Sequence, residues 1–353
     1  MRQAEPPARA RDGRAGSRTG ATGNVGTSVL AALAADPAVT SIVGIARRAP
    51  TVALPKVEWR AADVVRDDLV PLFQGTDAVV HLTWIVQPNH READLWAVNV
   101  GGTRRVHEAV AAAKVPVLVH ESAFGAYAGG AGDRPVDESW PTDGIASSWY
   151  SRQKAEVERA LDAFAESHPQ VRMVRFRSAL ILKREAGAQA HRLYGGPLLP
   201  RALVRPGRVP VVPDVPGVRI QAVHADDVGD AYRRAVVGDV RGAFNLAAEP
   251  VLTPTSVAAA IGSRTLPVPA PLMRAAVRAS WLLRAQPTSP DWLDLMIQPP
   301  LLDTTRARTE LGWAPAHSAT EALCEFLEGI ADGAGGATPP LAPLAVARPS
   351  FRP

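Results

Sequence analysis

The feature that most constrains this chain is a turn. The stretch "TGATGNVG", residues 19–26, spaces Gly20, Gly23 and Gly26 three apart, just before an Ala/Leu-rich helix at Thr27–Ala35. One glycine lets the chain reverse, one admits a phosphate against the backbone, and one allows close packing of helix on sheet. The helix N-terminus adds unpaired N–H groups and the positive end of a dipole. Such spacing also arises by chance, and with 28 Gly in 353 residues an ordinary loop is the competing reading. The alternation that follows favours the phosphate turn. Ser41–Ala46, Val57–Ala61, Asp77–Leu82, Val115–Ala123 and Val171–Phe176 read as short strands, and Asp94–Lys114 and Ala146–Ser167 as helices. Short apolar strands separated by helices belong to a parallel sheet covered on both faces.

The fold class is therefore α/β, a Rossmann-type doubly wound parallel sheet with a smaller C-terminal substrate lobe. Pro and Gly become dense after Phe176, which divides the chain into a dinucleotide-binding core, 19–176, and a substrate lobe, 177–330. Within that lobe residues 219–237 read as a strand and helix that return to the core. The flanks 1–18 and 331–353 are expected to be disordered, the first Arg-rich and the second rich in Gly, Pro and Ala.

The N-terminal flank raises a conflict. A buried strand must precede the turn, yet Arg14, Ala15, Gly16, Ser17 and Arg18 stand there. Arginines buried in a central strand without partners are costly. We therefore expect an aberrant N-terminus, from a shifted reading frame or a misplaced start, with at most a short strand near Ser17–Thr19. The alternative is a poor strand whose arginines point to its ends.

Several function classes are excluded. Cys324 is the only cysteine, and the eight His show no metal-ligand spacing, so no disulfide or metal is expected. The 39 basic residues, all but four of them Arg, are interspersed with 35 acids, which argues against a nucleic-acid partner. No apolar run approaches the roughly 20 residues of a membrane span. The expected partner is a small-molecule substrate, the expected assembly a homodimer and the expected compartment the cytoplasm.

The chemistry concentrates in "WYSRQKAEVERAL", where Tyr150 and Lys154 lie four apart on one helix face. A nearby ammonium favours the phenolate and would make Tyr150 an acid/base near neutral pH. A surface pair is the bland alternative, but Lys is scarce here, and this one follows a strand end that would face a cofactor.

From Thr19 to about Gly329 the chain resembles the extended short-chain dehydrogenase/reductase superfamily, specifically the NAD-dependent epimerase/dehydratase family. The matching motifs are "TGATGNVG", "HLTW", "NVGGT", "ESAFGAY", "YSRQK", "VHADDVGDA", "GAFNLA" and "LDTTRARTELGW", with Asp63 in "AADV". The resemblance implies that Gly20, Thr22, Gly23, Asn24, Val25 and Gly26 hold the cofactor diphosphate. It places Asp63 and Val64 beside the adenine and Leu82, Thr83 and Trp84 beside the nicotinamide ribose. Asn99 would steady the active-site backbone. Tyr150 would be the acid/base and Lys154 its partner and ribose ligand. Asp63 as a helix cap and Asn99 as a purely structural residue remain alternatives.

Two departures stand out. The family's catalytic Ser/Thr position is held by Ala123, with Ser122 one step earlier, where strand alternation points it to the other face. Ser122 is kept as a candidate, and weakened catalysis follows if it cannot reach. Where NAD-preferring members carry an acid after the second strand, this chain has Arg47 and Arg48. Arginine suits a 2′-phosphate, which favours NADP over NAD. The segment Asp133–Gly144 is expected to rim the substrate mouth, and Asp226 and Asp227 to cap a helix.

The expected function is NAD(P)-dependent hydride transfer at a carbinol or ketone, as an oxidoreductase or epimerase, with nucleotide sugars among the substrates relatives use. The rival is a non-catalytic cofactor-binding regulator, or a defective copy. A dehydratase would need an acid near Ser122, and Glu121 is the only candidate.

Overall fold

The computed structural model describes residues 14–87, 90–196 and 200–344. Seven strands form the main sheet: β1 (Arg14–Thr19), β2 (Val39–Ala46), β3 (Val57–Ala61), β4 (Ala78–His81), β5 (Val117–Glu121), β6 (Arg172–Ser178) and β7 (Gly242–Leu246). Their order across the sheet is β7-β6-β5-β4-β1-β2-β3, and every pairing is parallel. The order reverses between β1 and β4, so a crevice opens there beyond the C-terminal strand ends. Helices α1 (Asn24–Ala35) and α4 (Ala225–Val237) cover one face, α2 (Thr103–Ala112) and α3 (Trp149–Ser167) the other. Helix α4 packs on α1, where a Cβ on Gly229 would come within 2.8 Å of the Ser28 carbonyl oxygen.

The strand missing from the sequence pattern is present. β1 spans six residues at the sheet centre and pairs with both β2 and β4, longer than the short piece expected near Ser17–Thr19. Its stability comes from ladder bonds and polar partners rather than aliphatic bulk. Buried Ser17 donates to the Leu72 carbonyl at 3.0 Å, and the Ala15 N–H donates to Asp77 Oδ2 at 2.6 Å. Residues 1–13 of the flank expected to be aberrant lie outside the described residues.

The distal flank also departs from expectation. Helix α6 (Ala319–Asp332) is followed by a segment packed back on the core: Leu341 is buried, and Thr338 Oγ1 donates to the Thr22 carbonyl at 2.8 Å. Residues 345–353 lie outside the described residues. The long helix expected over Asp94–Lys114 is divided into Glu92–Trp96, a π-helical turn Ala97–Gly102, and α2. Such wide turns often sit at functional sites, and this one carries Asn99. At the start of α4 the cap is His224, whose ring accepts from the Asp226 N–H. Asp226 instead accepts from Ser28, and Asp227 from the N–H groups of Ala316 and His317.

Beyond β6 the chain builds a smaller lobe over the C-terminal sheet edge. It includes a three-stranded sheet, Ala248–Leu252, Ile220–His224 and Leu180–Leu182, and helix α5 (Ala270–Leu282). Among the described residues, no helix is long and apolar enough to cross a membrane.

Candidate active site

The C-terminal edge of the sheet carries the sequence-selected residues in a row. The glycine turn follows β1, Arg47 and Arg48 follow β2, Asp63 follows β3, Leu82–Trp84 follow β4, and Ser122 and Ala123 follow β5. A cavity of about 850 Å³ opens above this edge. Gly20, Gly23, Asn24, Val25, Gly26, Leu82 and Trp84 line it, together with Ser122, Tyr150 and Lys154. Thr22, Thr83, Asp63, Val64, Asn99, Arg47 and Arg48 do not.

The turn fits a dinucleotide's diphosphate. Gly20 has φ +75°, and a Cβ there would come within 2.7 Å of the Leu82 backbone; at Gly26 it would meet the Gly20 carbonyl oxygen at 2.4 Å. Both glycines are required by the fold itself. At Gly23 the nearest protein atom would be 3.7 Å away. The missing side chain there leaves room for a ligand. Gly23 caps α1 without any side-chain bond, which keeps the first N–H groups of the helix directed at the cavity. Asn24 donates to the Ile181 carbonyl at 2.9 Å while its own Oδ1 has no partner. The Thr22 carbonyl instead accepts from Thr338 Oγ1.

Asp63 accepts from the Val65 N–H at 2.9 Å, a local turn bond, and Val64 packs beneath Gly102. Arg47 and Arg48 are exposed at the tip of β2. Asn99 is fully buried. It accepts from the Ile85 N–H at 2.8 Å and donates to the Ile85 carbonyl at 2.9 Å. Its amide also donates to Gln153 Oε1 at 2.9 Å. The loop that carries Trp84 is thereby clamped to α3, one residue before Lys154. Gln153 did not stand out in the sequence, although its place between Tyr150 and Lys154 was the available signal.

Helix α3 presents the Tyr–Lys pair. Ser148 caps it, and Ser151 Oγ donates to the Gly125 carbonyl, which ties the first turn to the loop after β5. Tyr150 and Lys154 both reach the cavity. The expectation that Lys154 depresses the Tyr150 pKa does not hold here. Withdrawal from water pushes the Tyr150 phenol well above its ordinary range, and Tyr194 and Glu121 add to the rise. Lys154 Nζ is engaged elsewhere. It donates to the carbonyls of Glu121 at 3.1 Å and Ser122 at 3.2 Å, and lies 3.7 Å from the Trp84 ring centroid. Burial pushes Lys154 down and Glu121 up, and each opposes the shift of the other.

Ser122 lies at the cavity wall, but its hydroxyl is committed to the protein interior. Its hydroxyl donates to Glu158 Oε1 at 2.5 Å, inside a buried cluster where Glu158 also receives Arg175 at 2.7 Å and Arg177 at 2.8 Å. Strand alternation is the physical reason: Ser122 projects to the α3 side. Glu121 projects to the opposite side, where its carboxylate accepts from Tyr232 at 2.7 Å. Glu121 lines the cavity, and Ala123 brings no hydroxyl to it. The segment Asp133–Gly144 does not rim this cavity. Asp137 caps Ser139, and Glu138 accepts from the Asn245 N–H at 2.8 Å, in a separate cleft near Arg175 and Arg306.

A parallel sheet of this order, a glycine turn at its switch point and a Tyr-x-x-x-Lys pair at the same crevice define the short-chain dehydrogenase/reductase class. Over residues 19–247 the chain matches the NAD dependent epimerase/dehydratase family, and it belongs to that family. An uncharacterized protein of Mycobacterium tuberculosis is 28% identical over 311 residues, which are 87% of this chain and 29% of the relative. The chain thus spans less than a third of that relative's length. The L-arabinose 1-dehydrogenase (NAD(P)(+)) of Haloferax volcanii is 39% identical over 104 residues, 30% of this chain and 39% of its own. Among solved structures, UDP-glucose-4-epimerase from Stenotrophomonas maltophila with bound NAD has a TM-score of 0.68 at 19% identity, over 90% of this chain and 98% of that one. UDP-N-acetylglucosamine 4-epimerase from Bacillus cereus has a TM-score of 0.65 at 16% identity, over 90% and 99%. At these identities the structural likeness is one of fold.

Proposed function

We propose that this chain is an NAD(P)-dependent oxidoreductase acting at a secondary carbinol or its ketone, with Tyr150 handling the proton. The observation that carries the reading is the opening of Tyr150 and Lys154 into the same cavity as the Gly20–Gly26 turn. The nicotinamide cofactor, when bound, supplies the hydride acceptor or donor. The chain's residues do the rest. Gly23 and the α1 N-terminus receive the diphosphate, and Asn99 fixes the Ile85 backbone beside the Trp84 loop. Tyr150 takes the hydroxyl proton as the carbinol C–H leaves as hydride, or returns it in reduction. A phenol of raised pKa stays protonated at neutral pH, so in the resting site Tyr150 carries the proton that ketone reduction requires. Lys154 becomes its electrostatic partner once a ligand draws the ammonium from the two carbonyls. Arg47 and Arg48 favour NADP through the 2′-phosphate. Return of the hydride to the opposite ketone face would make the same site an epimerase, the activity named for the structural neighbours.

The orientation of Ser122 and the apolar Ala123 favour a second reading, a cofactor-binding protein without turnover. Tyr150→Phe separates the two. The expected result is a loss of turnover of about a hundredfold or more with cofactor affinity retained, because the phenol acts on the substrate proton. Wild-type turnover in Tyr150→Phe removes the assignment, and absence of turnover in both proteins with intact cofactor binding establishes the second reading.

A further inference from the structure

The cavity that receives the cofactor continues past Tyr150 into a chamber built by the smaller lobe, and the chemistry of that chamber bears on the substrate. Trp292, Tyr194, Met273, Val277, Leu295 and Met296 line it. The aromatic rings meet in a chain: Trp84 against Tyr150 at 5.6 Å, Tyr150 against Trp292 at 5.4 Å, and Trp292 against Tyr194 at 5.4 Å between centroids. Arg supplies all but four of the chain's 39 basic residues, yet among the described residues none lines the cavity. Among the described residues, Lys154 and Glu121 are the only Lys and carboxylate there. Lys154 is held by two carbonyls and the Trp84 face, and Glu121 by Tyr232.

We infer that the substrate is an uncharged, ring-bearing, largely apolar secondary alcohol or ketone, and not a nucleotide sugar. This rests on the oxidoreductase reading above and narrows it. A nucleotide sugar carries a second diphosphate into the site, and the glycine turn is already committed to the cofactor's own. Diphosphate oxygens removed from water need guanidinium, ammonium or N–H partners. Among the described residues the chamber offers no guanidinium; its polar side chains are Gln189, His191, Thr288 and Ser289, and the rest is Trp, Met, Val and Leu surface, which suits fused or aryl rings. The chemistry is unchanged: the carbinol carbon gives a hydride to the oxidised cofactor, its hydroxyl gives a proton to the protein, and a ketone is left.

The test uses the full chain saturated with NADP and follows binding by tryptophan fluorescence and melting temperature, both independent of turnover. The probes are a hydroxysteroid, a flavanonol, UDP-glucose and UDP-N-acetylglucosamine. The expected result is saturable quenching and a raised melting temperature with one of the ring compounds. The UDP-sugars should bind at least about tenfold more weakly. Trp292→Ala and Met273→Asp should each weaken the ring compound about tenfold while leaving NADP affinity unchanged. Tighter or equal binding of a UDP-sugar overturns the inference, as does failure of both ring compounds to bind. Binding of a ring compound without hydride transfer leaves the substrate class standing and instead refutes the oxidoreductase reading.

Discussion

At the scale of single residues, the site turns on which way two neighbours point. Ser122 and Ala123 are adjacent at the end of β5, and the sequence supplies the hydroxyl at the first and not the second. Ser122 spends its hydroxyl on Glu158, already held by Arg175 and Arg177. Its role in this geometry is to hold the carboxylate that anchors β6 to α3. A buried hydrogen bond to a charged group is worth about 1.5–3 kcal/mol. Ser122→Ala should therefore lower the melting temperature by a few degrees while keeping any turnover within about twofold of wild type. Steady-state kinetics and a thermal melt on the same preparation check this. A collapse of turnover with an unchanged melt would return Ser122 to the catalytic list.

At the scale of elements, what decides the cofactor is the end of β2. The strand stops at Ala46, and Arg47 and Arg48 follow in an exposed bend, with no acid there to accept a ribose 2′-hydroxyl. NADP should bind more tightly than NAD, and the double variant Arg47→Ala/Arg48→Ala should bring the two affinities together. Titration of both cofactors against both proteins decides it, and equal affinities in the wild type would sink the preference. The elements themselves were largely legible in the sequence. The apolar runs at 41–46 and 77–82 marked the sheet, and the helix read over Ala146–Ser167 carries Tyr150. What escaped did so for identifiable reasons. β1 has no large aliphatic residue, so a pattern search rejects it. Its bonds run to β2, β4, Leu72 and Asp77, partners that a local reading cannot supply. The π-helical turn at Ala97–Gly102 carries Asn99 to Ile85, a contact 14 residues away. Gln153 became visible only when Asn99 and α3 were brought together.

At the scale of the whole molecule, the core is ionisable to an unusual degree, and that sets its acid limit. His81, on β4, and His120, on β5, lie with ring centroids 5.1 Å apart, and His107, on α2, is 5.7 Å from His120. Burial holds His107 down to about 4, with the Arg175 charge adding to the depression, and His81 and His120 lie well below their ordinary range for the same first reason. Glu158 belongs to the same layer: burial would raise it, but Arg177 and Arg175 hold it at about 2. Both kinds of group have folded pKa values below their unfolded ones. Each therefore contributes stability that is complete above the unfolded value and is lost as pH falls towards the folded one. For His107 that window runs from 6.5 down to about 4, and for Glu158 from 4.5 down to about 2. Glu121, raised to about 7, acts in the opposite sense between pH 7 and 4.5, but three histidines outnumber it, so the melting temperature should fall below about pH 6.5, with Glu158 following. His107 packs on Phe164 at 5.3 Å and its Nε2 has no partner, so His107→Phe replaces a titrating ring by an apolar one of similar shape. That variant should lose less stability than wild type between pH 6.5 and 4. A melting temperature that is flat across this interval, or an identical slope in the variant, would show that the buried histidines do not control acid unfolding.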